Sequence, residues 1–369
     1  MERETVQVYE QRAAEWRARR RPRFLDHARA LAAATPPGGC CADLGCGPGF
    51  HLEALPRPVV ALDAANAMVH LAREATPDAW GVQADLEALP LRRGALMSAW
   101  ARASYLHVPN VRLPLALAEL HRALAPGAPA HLVVRAGTES GFVADDDFPG
   151  RWFSAWEPDA FVDVLVGAGF TVEECAVDTD DPFWLGARVT RARTLPDTVG
   201  PGMRLLVCGL NPSVYSADVG VGFARPGNRF WPAALAAGLV TEDRDPRAAL
   251  VLHGIGMTDL VKRATARADE LTTDEYRAGL ARIERLVRWL QPGAVCFVGL
   301  AGWRAAVDRK ARAGVQPVTC AGRPVYVMPS TSGLNARTSP AELTDHLRAA
   351  TAAAPKDFGV AETSSLMVD

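Results

Sequence analysis

Twice along this chain short apolar runs alternate with helical patterns, and the two series are separated by a stretch that suits neither. "RTLPDTVGPGM" (193–203), rich in Pro, Gly and Thr, reads as a linker. Before it stand the apolar segments "CCADLGC", "PVVALD", "WGVQADL", "ALMSAWARA" and "PAHLVVRAG". An Ala-rich helical pattern and a helix through Leu124 are interleaved with them. A helix near 158–168 and strands at "FTVEECAV" and "FWLGARVTRA" follow. After it the alternation restarts with "RLLVCGL", a helix near 229–238, a long helix near 273–290, "AVCFVGL", a helix near 301–312, "PVYVMPS" and a last helix from Pro340. Such alternation predicts parallel sheets covered by helices, because each crossover between parallel strands must run over a sheet face. The reading is α/β: two three-layer α/β/α domains at 1–192 and 204–350, joined by the linker 193–203. An Arg-rich amphipathic helix over about 5–34 leads into the first domain through the breaker "TPPGG". The tail 351–369 has no periodicity and is expected to be disordered.

A length of 369 residues is too great for one ordinary core and suits two domains. With 49% hydrophobic and 22% charged residues the composition is that of a soluble globular protein. No stretch approaches the roughly 18 apolar residues of a membrane span, and the N-terminus is too charged for a secretory signal, so a cytoplasmic location is expected. The seven cysteines form no CxxC pair and no zinc or cluster spacing, and they read as small buried thiols. Neither metal nor disulfide is expected. Charge is uneven: residues 41–200 carry 12 basic against 21 acidic side chains, and 201–350 carry 19 against 13. The second half is the one suited to face an anion.

In the first half "DLGCGPG" (Asp43 to Gly49) follows a strand and opens toward a helix. Glycines there let backbone approach a ligand, and a helix start offers unpaired N–H groups. "VVALD" ends a second strand on Asp63, where a carboxylate can accept both hydroxyls of a ribose. "QADLEALPL" puts Asp85 at a third strand tip, in reach of an adenine amino group. The ordered series resembles the class I S-adenosylmethionine-dependent methyltransferases over about residues 1–190. The resemblance implies a Rossmann-like fold with S-adenosylmethionine as cofactor. Gly45, Gly47 and Gly49 would line its amino-acid part, Asp63 would hold the ribose and Asp85 the base, with Asp43 a further contact. The fourth strand tip, "SAWARASYLHVPN", lacks the Asn/Asp-Pro-Pro-Tyr/Phe signature of enzymes that methylate base amino groups, so the acceptor is open. His107 in that segment reads either as a packed or surface histidine or as a general base.

In the second half three strands end on loops of unusual composition: "LLVCGL" at Asn211, "AVCFVGL" at Gly299 and "VYVMPS" at Ser330. In open parallel sheets ligands bind outside the carboxyl ends of the strands, so these tips should gather around one site. The blocks "GLNPS", "GVGFARPGNRFW" and "MPSTSGLNAR", in this order and separation, resemble the mismatch-specific uracil/thymine-DNA glycosylases of the uracil-DNA glycosylase superfamily over about 203–350. "GMTDLVKRATARADELT" (256–272) is similar to that family's connecting segment.

The resemblance implies hydrolysis of the N-glycosidic bond of uracil, thymine or a related base mispaired with guanine (G:U or G:T) in double-stranded DNA, without a cofactor. Asn211 would position the attacking water. An amide orients water without taking its proton, which implies slower chemistry than in superfamily members with Asp there. Phe223 would stack on the extruded base, a contact worth about 1–3 kcal/mol, with Gly209 and Ser330 beside it. Gly220 and Gly222 would let the preceding loop approach, while Asn228 and Arg229 would fix the loop and helix start. Gly333, Leu334, Asn335 and Arg337 fall in the loop that fills the gap left by a flipped nucleotide. Leu334 sits where bacterial-type members carry an apolar wedge. The chain departs from them at Ser330, where they have Asn, and at Asn335, where they have Ser. Ser330 is similar to the thymine-specific branch, whose wedge is an Arg, so Arg337 is a second wedge candidate and base preference stays open. Arg225, Arg229, Lys262, Arg263, Arg267 and Arg323 could neutralise phosphates, although single charges are more often a solvated face. The leading expectation is a glycosylase fused to a methyltransferase. Two others stand beside it: a damage-binding module with little turnover, and a first domain that binds cofactor without transferring methyl groups.

Overall fold

The computed structural model describes residues 1–143 and 145–355. The chain divides into two compact units, Met1–Ala192 and the part from Arg193 onward.

In the first unit seven strands form one sheet: β1 (Cys41–Leu44), β2 (Val59–Asp63), β3 (Trp80–Gln83), β4 (Ser98–Arg102), β5 (Pro129–Ala136), β6 (Phe170–Val177) and β7 (Trp184–Arg191), in spatial order β3-β2-β1-β4-β5-β7-β6. The first five run parallel. β7 lies antiparallel to both of its neighbours. The short strand Ala155–Trp156 adds to β5. β1 is buried along its whole length, as expected of a central strand. Successive strands are laid down to one side of β1 until β3, and then β4 starts on its other side. That reversal opens a crevice at the carboxyl ends of β1 and β4.

The helices of this unit are α1 (Arg3–Arg19), α2 (Leu25–Ala34), α3 (Asn66–Ala75), α4 (Leu113–Ala123) and α5 (Pro158–Gly167). Ala28 and Leu31 of α2 share a buried cluster with Cys41, Val59, Ala61 and the fully enclosed Trp100. The single helix expected over 5–34 is thus two. Pro22 has no N–H and biases Arg21 away from helical backbone, and Phe24 enters the second helix at φ 62°.

Among the described residues the second unit has five strands: β8 (Leu205–Gly209), β9 (Ile255–Asp259), β10 (Val295–Val298), β11 (Gly314–Val315) and β12 (Val325–Met328), in spatial order β9-β8-β10-β12-β11. All pair in parallel except the short β11. Its helices are α6 (Val214–Val219), α7 (Phe230–Ala236), α8 (Pro246–His253), α9 (Thr273–Leu290), α10 (Leu300–Ala306) and α11 (Pro340–Ala352). Thr272 and Ser339 open α9 and α11 as reciprocal caps with Glu275 and Glu342. Leu205, Val207, Phe230, Trp231, Ile255, Cys296, Met328 and Leu343 form the core between sheet and helices.

Several expectations change here. The stretch 193–203 is part of the second unit: Leu195, Val199 and Met203 are buried, and Thr198 pairs through its backbone with Met257 of β9 in both directions (2.9 and 2.8 Å). Asp197 accepts from Thr258 Oγ1 (2.7 Å), Lys262 Nζ (2.8 Å) and Arg282 (2.7 Å). Pro, Gly and Thr marked irregular backbone correctly but say nothing about exposure. At the other end α11 continues to Ala352, and Ala353 and Ala354 pack on the core. The rest of the expected tail, from 356, lies outside the described residues. The segment 256–272 begins as a strand, β9, and the helix expected over 301–312 ends at Ala306.

Candidate functional site

In the first unit the loop leaving β1 is tied to β2, since the N–H groups of Gly45 and Cys46 donate to Leu62 O (2.7 and 2.9 Å). Gly47 N donates to Asp63 Oδ2 (2.9 Å), and Asp63 Oδ1 accepts from Ala65 N (2.9 Å). A Cβ on Gly45 would lie 2.2 Å from that of Ser104 at the tip of β4, so glycine is what lets loop and strand tip meet. A Cβ on Gly47 would meet nothing within 4 Å and would project into open space. Gly45, Gly47 and Asp63 line the crevice, with Tyr9, Arg102, Ser104 and His107. Gly49 packs against α3 beneath it.

Asp43, 1% exposed, has an Oδ2 with no hydrogen-bond partner. Burial pushes its carboxyl up to about 8, nearby Asp63 adds to this, and Arg102 opposes it. Burial likewise raises Asp63 to about 6 against the backbone N–H groups of Ala65 and Gly47. Asp85 does not line the crevice. Its Oδ2 accepts from the amino group of Met1 (2.9 Å) and its Oδ1 from Glu87 N (3.0 Å).

His107 is buried, and Trp152 O, which can only accept, takes a bond from Nδ1 (2.6 Å). Nε2 therefore accepts from Tyr9 OH (2.7 Å), and burial holds the ring's pKa down at about 3. With no unused lone pair, the ring is a packed residue, and the general-base reading is dropped. Arg102, not singled out in the sequence, ends β4 between the rings of Phe24 (5.2 Å) and Trp184 (4.9 Å), and burial lowers its pKa to about 10. An arginine at a strand end reads as a surface residue until the rings that enclose it are placed.

In the second unit one cleft is lined by Asn211, Phe223, Asp259, Thr265, Ser330 and Leu334, among others. Asn211 follows β8, and its Nδ2 faces three acceptors: Thr265 Oγ1 (2.8 Å), Arg263 O (2.9 Å) and Pro212 O (3.2 Å). Only an NH2 group suits that position, which leaves Oδ1 as the end of the amide available to the cleft. Phe223, at φ 57°, stacks on Phe230 with centroids 4.2 Å apart and planes 20° from parallel. Its ring thereby reaches the cleft backed by the core. Gly209 is the last residue of β8. A Cβ there would lie 2.4 Å from Asp259 Oδ1 and 3.4 Å from Phe223 Cζ, so its role is to leave room for both. Asp259 and Thr265 escaped sequence reasoning, because the stretch holding them read as a connector.

The loop after β12 is anchored from outside. Arg229 donates to the carbonyls of Thr338 (2.6 Å), Asn335 (2.6 Å) and Ser332 (3.2 Å). Asn335 Nδ2 donates to Ser330 O (2.8 Å) and Thr338 Oγ1 (3.1 Å). Asn335 is therefore an internal staple, a correction to its placement among the wedge residues. Gly333 packs so closely that a Cβ would lie 2.8 Å from Gly227 O. Leu334 stands at the tip 89% exposed, and Arg337 is exposed beyond it.

The expected phosphate contacts are mostly engaged elsewhere. Arg229 holds the loop, Lys262 pairs with Asp197, Arg263 with Glu275, Arg267 with Asp269, and Arg323 bonds Gln291. Arg225 is exposed at the cleft. Among the described residues no helix is long and apolar enough to cross a membrane.

Two open α/β sheets, each with polar side chains gathered at its strand tips, define a two-unit α/β protein with a crevice at the strand tips of each unit. Residues 42–131 match the family model described as a methyltransferase domain, and residues 196–353 match that of the Uracil DNA glycosylase superfamily. The chain thus carries a domain of each kind, and both are domains of enzymes. Solved structures similar to it include an S-adenosylmethionine-dependent methyltransferase from Mesorhizobium loti (23% identity, covering 45% of this chain and 100% of that one, TM-score 0.37). DhpI in complex with SAH (23%, 51% and 96%, TM-score 0.41) is another. A third is the 1,6-didemethyltoxoflavin-N1-methyltransferase of Burkholderia thailandensis (18%, 51% and 85%, TM-score 0.40).

Proposed function

We propose that the second unit is a monofunctional DNA glycosylase that removes uracil, thymine or a related damaged base mispaired with guanine in duplex DNA. In glycosidic hydrolysis the C1′–N bond breaks with its electron pair leaving on the base, while water oxygen bonds C1′ and releases a proton to solvent. Positive charge builds on the sugar and negative charge on the base, so the site must place a water on one side and hold the base on the other. The observation that carries the reading is the tethered Asn211 amide, whose Nδ2 is occupied by Thr265 and Arg263 so that Oδ1 can accept from a water in the cleft that Phe223 also lines. Leu334, exposed at the end of a stapled loop, is suited to enter the base stack and offset the lost stacking. Incubation with duplex DNA containing uracil opposite guanine should yield abasic sites. Asn211→Ala should abolish the product while retaining DNA binding. Wild-type turnover no faster than that of the variant would leave only a binding module.

The first unit, in the same proposal, binds S-adenosylmethionine and methylates an acceptor. The open side of Gly47, the buried unpartnered oxygen of Asp43 and the carboxylate of Asp63 fit the group. Each Asp63 oxygen accepts one backbone N–H and keeps a second lone pair for a ribose hydroxyl. When bound, the cofactor supplies the methyl group. S-adenosylmethionine should raise the thermal transition of this unit, and Asp63→Ala should remove the shift. A wild-type chain with no shift would retire the cofactor reading.

A further inference from the structure

Arg102 and Arg135 stand at the carboxyl ends of the neighbouring strands β4 and β5, and neither makes a hydrogen bond or ion pair among the described residues. Arg102 is in register with Val133, two positions before Arg135, so both arginines project from one face of the sheet as diagonal neighbours. Trp184, opposite Arg135 on β7, shares that face. The guanidinium of Arg102 lies between Phe24 (5.2 Å) and Trp184 (4.9 Å), and that of Arg135 lies over Phe183 (5.5 Å). Phe183 and Trp184 meet edge to face at 4.7 Å, so one aromatic pair at the entry to β7 carries both cations.

Other arginines of this unit have acids to meet them: Arg23 has Asp181 (2.8 Å), Arg20 has Asp147 and Arg151 has Asp146. Arg102 has none, and its Nε is buried without a partner. Burial lowers its pKa to about 10, which still leaves it charged, while Asp43, which opposes that shift, keeps its own proton at neutral pH with a pKa of about 8. A half-buried cation held by rings alone is costly, and an anion from outside the chain would offset that cost. Arg102 also lines the crevice with Gly47 and Asp63. In the order β2-β1-β4-β5 those two belong to the tips of β1 and β2, and the arginines take the next two tips.

We infer that Arg102 and Arg135 form the receptor for a carboxylate that orients the methyl acceptor, which is therefore a small organic acid. The inference rests on the S-adenosylmethionine reading of the crevice and assigns its acceptor class. Stacking on rings fixes the guanidinium plane and leaves its edge free, and that edge matches the two coplanar oxygens of a carboxylate. The surplus of acidic over basic side chains in residues 41–200, 21 against 12, repels a long polyanion, whereas a single carboxylate needs only the local pair of cations.

The test titrates the full chain, saturated with S-adenosylhomocysteine, with acetate, benzoate and phenylacetate and with the amide of each. Wild type should bind at least one acid tenfold or more tightly than its amide, because the amide lacks the charge that the guanidinium needs. Arg102→Met should reduce that preference to within about threefold and change S-adenosylhomocysteine affinity by less than about threefold. Arg135→Met, at the less enclosed of the two positions, should lower the preference at least threefold and serves if the first variant fails to fold. No preference for any acid in wild type, or a preference that survives both substitutions, would overturn the inference. So would a tenfold loss of S-adenosylhomocysteine affinity in Arg102→Met with 5′-methylthioadenosine binding unchanged, which would assign Arg102 to the carboxylate of the cofactor. The thermal shift with S-adenosylhomocysteine alone is scored in parallel. Absence of a shift, with the acid preference intact in the cofactor-free chain, would count against the cofactor reading alone, and a shift without the preference would count against the carboxylate receptor alone.

Discussion

Thr265 Oγ1 accepts from Asn211 Nδ2 at 2.8 Å, so a threonine 54 residues away in sequence determines which end of that amide faces the cleft. Thr265→Val keeps the shape and removes the acceptor, leaving Arg263 O as the remaining strong partner of Nδ2. Loss of one hydrogen bond of about 1 kcal/mol should lower the single-turnover excision rate about three- to tenfold, with duplex binding and thermal stability little changed. An unchanged rate under saturating enzyme would show that the carbonyl alone orients the amide.

Asp259 predicts an unusual pH dependence of stability. Its carboxyl titrates near about 4 when unfolded and at about 6 in the folded chain, where burial outweighs Lys262 and Arg282 and Asp197 adds to the rise. Between these values the folded chain keeps a proton that the unfolded chain has released, so stability falls as pH rises from about 4 to about 6 and stays lower above. Asp259→Asn should therefore stabilise the second unit by about 2–3 kcal/mol at pH 7.5 and hardly at all at pH 4. Asp197 acts in the other direction. Burial would raise it, but Arg282 and Lys262 prevail and hold it low, so its contribution is lost only as pH falls below about 4. Calorimetry of the full chain across pH 2 to 8 separates the two windows.

Leu334 and Arg229 should separate the tip of the loop from its anchor. Leu334→Ala changes a side chain that touches almost nothing, so stability should move by less than about 0.5 kcal/mol while excision from a duplex falls at least fivefold. Arg229→Met removes bonds to three carbonyls and should destabilise the unit by about 2–4 kcal/mol. It should also raise amide hydrogen exchange across 332–338. Protection unchanged there would mean that Asn335 alone suffices as a staple.

Gly47→Val tests the cofactor crevice without touching a carboxylate. The added side chain projects into space that is open, and at φ 50° it costs about 1–2 kcal/mol of backbone strain. Thermal stabilisation by S-adenosylhomocysteine should disappear, while the transition without it drops by only a few degrees. A full ligand-induced shift in the variant would place the amino-acid part of the cofactor elsewhere.

Much of the architecture was legible because strand-helix alternation is a property of short segments. The apolar runs at 41–44, 59–63 and 205–209 must be buried wherever the chain places them, and the polar residues within a position or two of their carboxyl ends must then lie at the strand tips. Asp43, Asp63 and Asn211 stood out for this reason, as did the glycines whose positive φ or close packing no other residue tolerates. The helix break at Pro22 was equally present in the sequence, as an X-Pro signal overridden by the surrounding Arg and Ala periodicity.

What the sequence by itself determined was the α/β pattern of both halves and the polar groups that end their strands, since burial and backbone geometry act residue by residue. Tertiary structure alone decided which polar groups have partners. It turned Arg229 and Asn335 inward as staples, enclosed His107 between Tyr9 and Trp152, and left Asp259 unpaired beside Phe223. Hydrogen bonds and ion pairs join residues tens of positions apart, and no local pattern records whether a charge will be met across that distance.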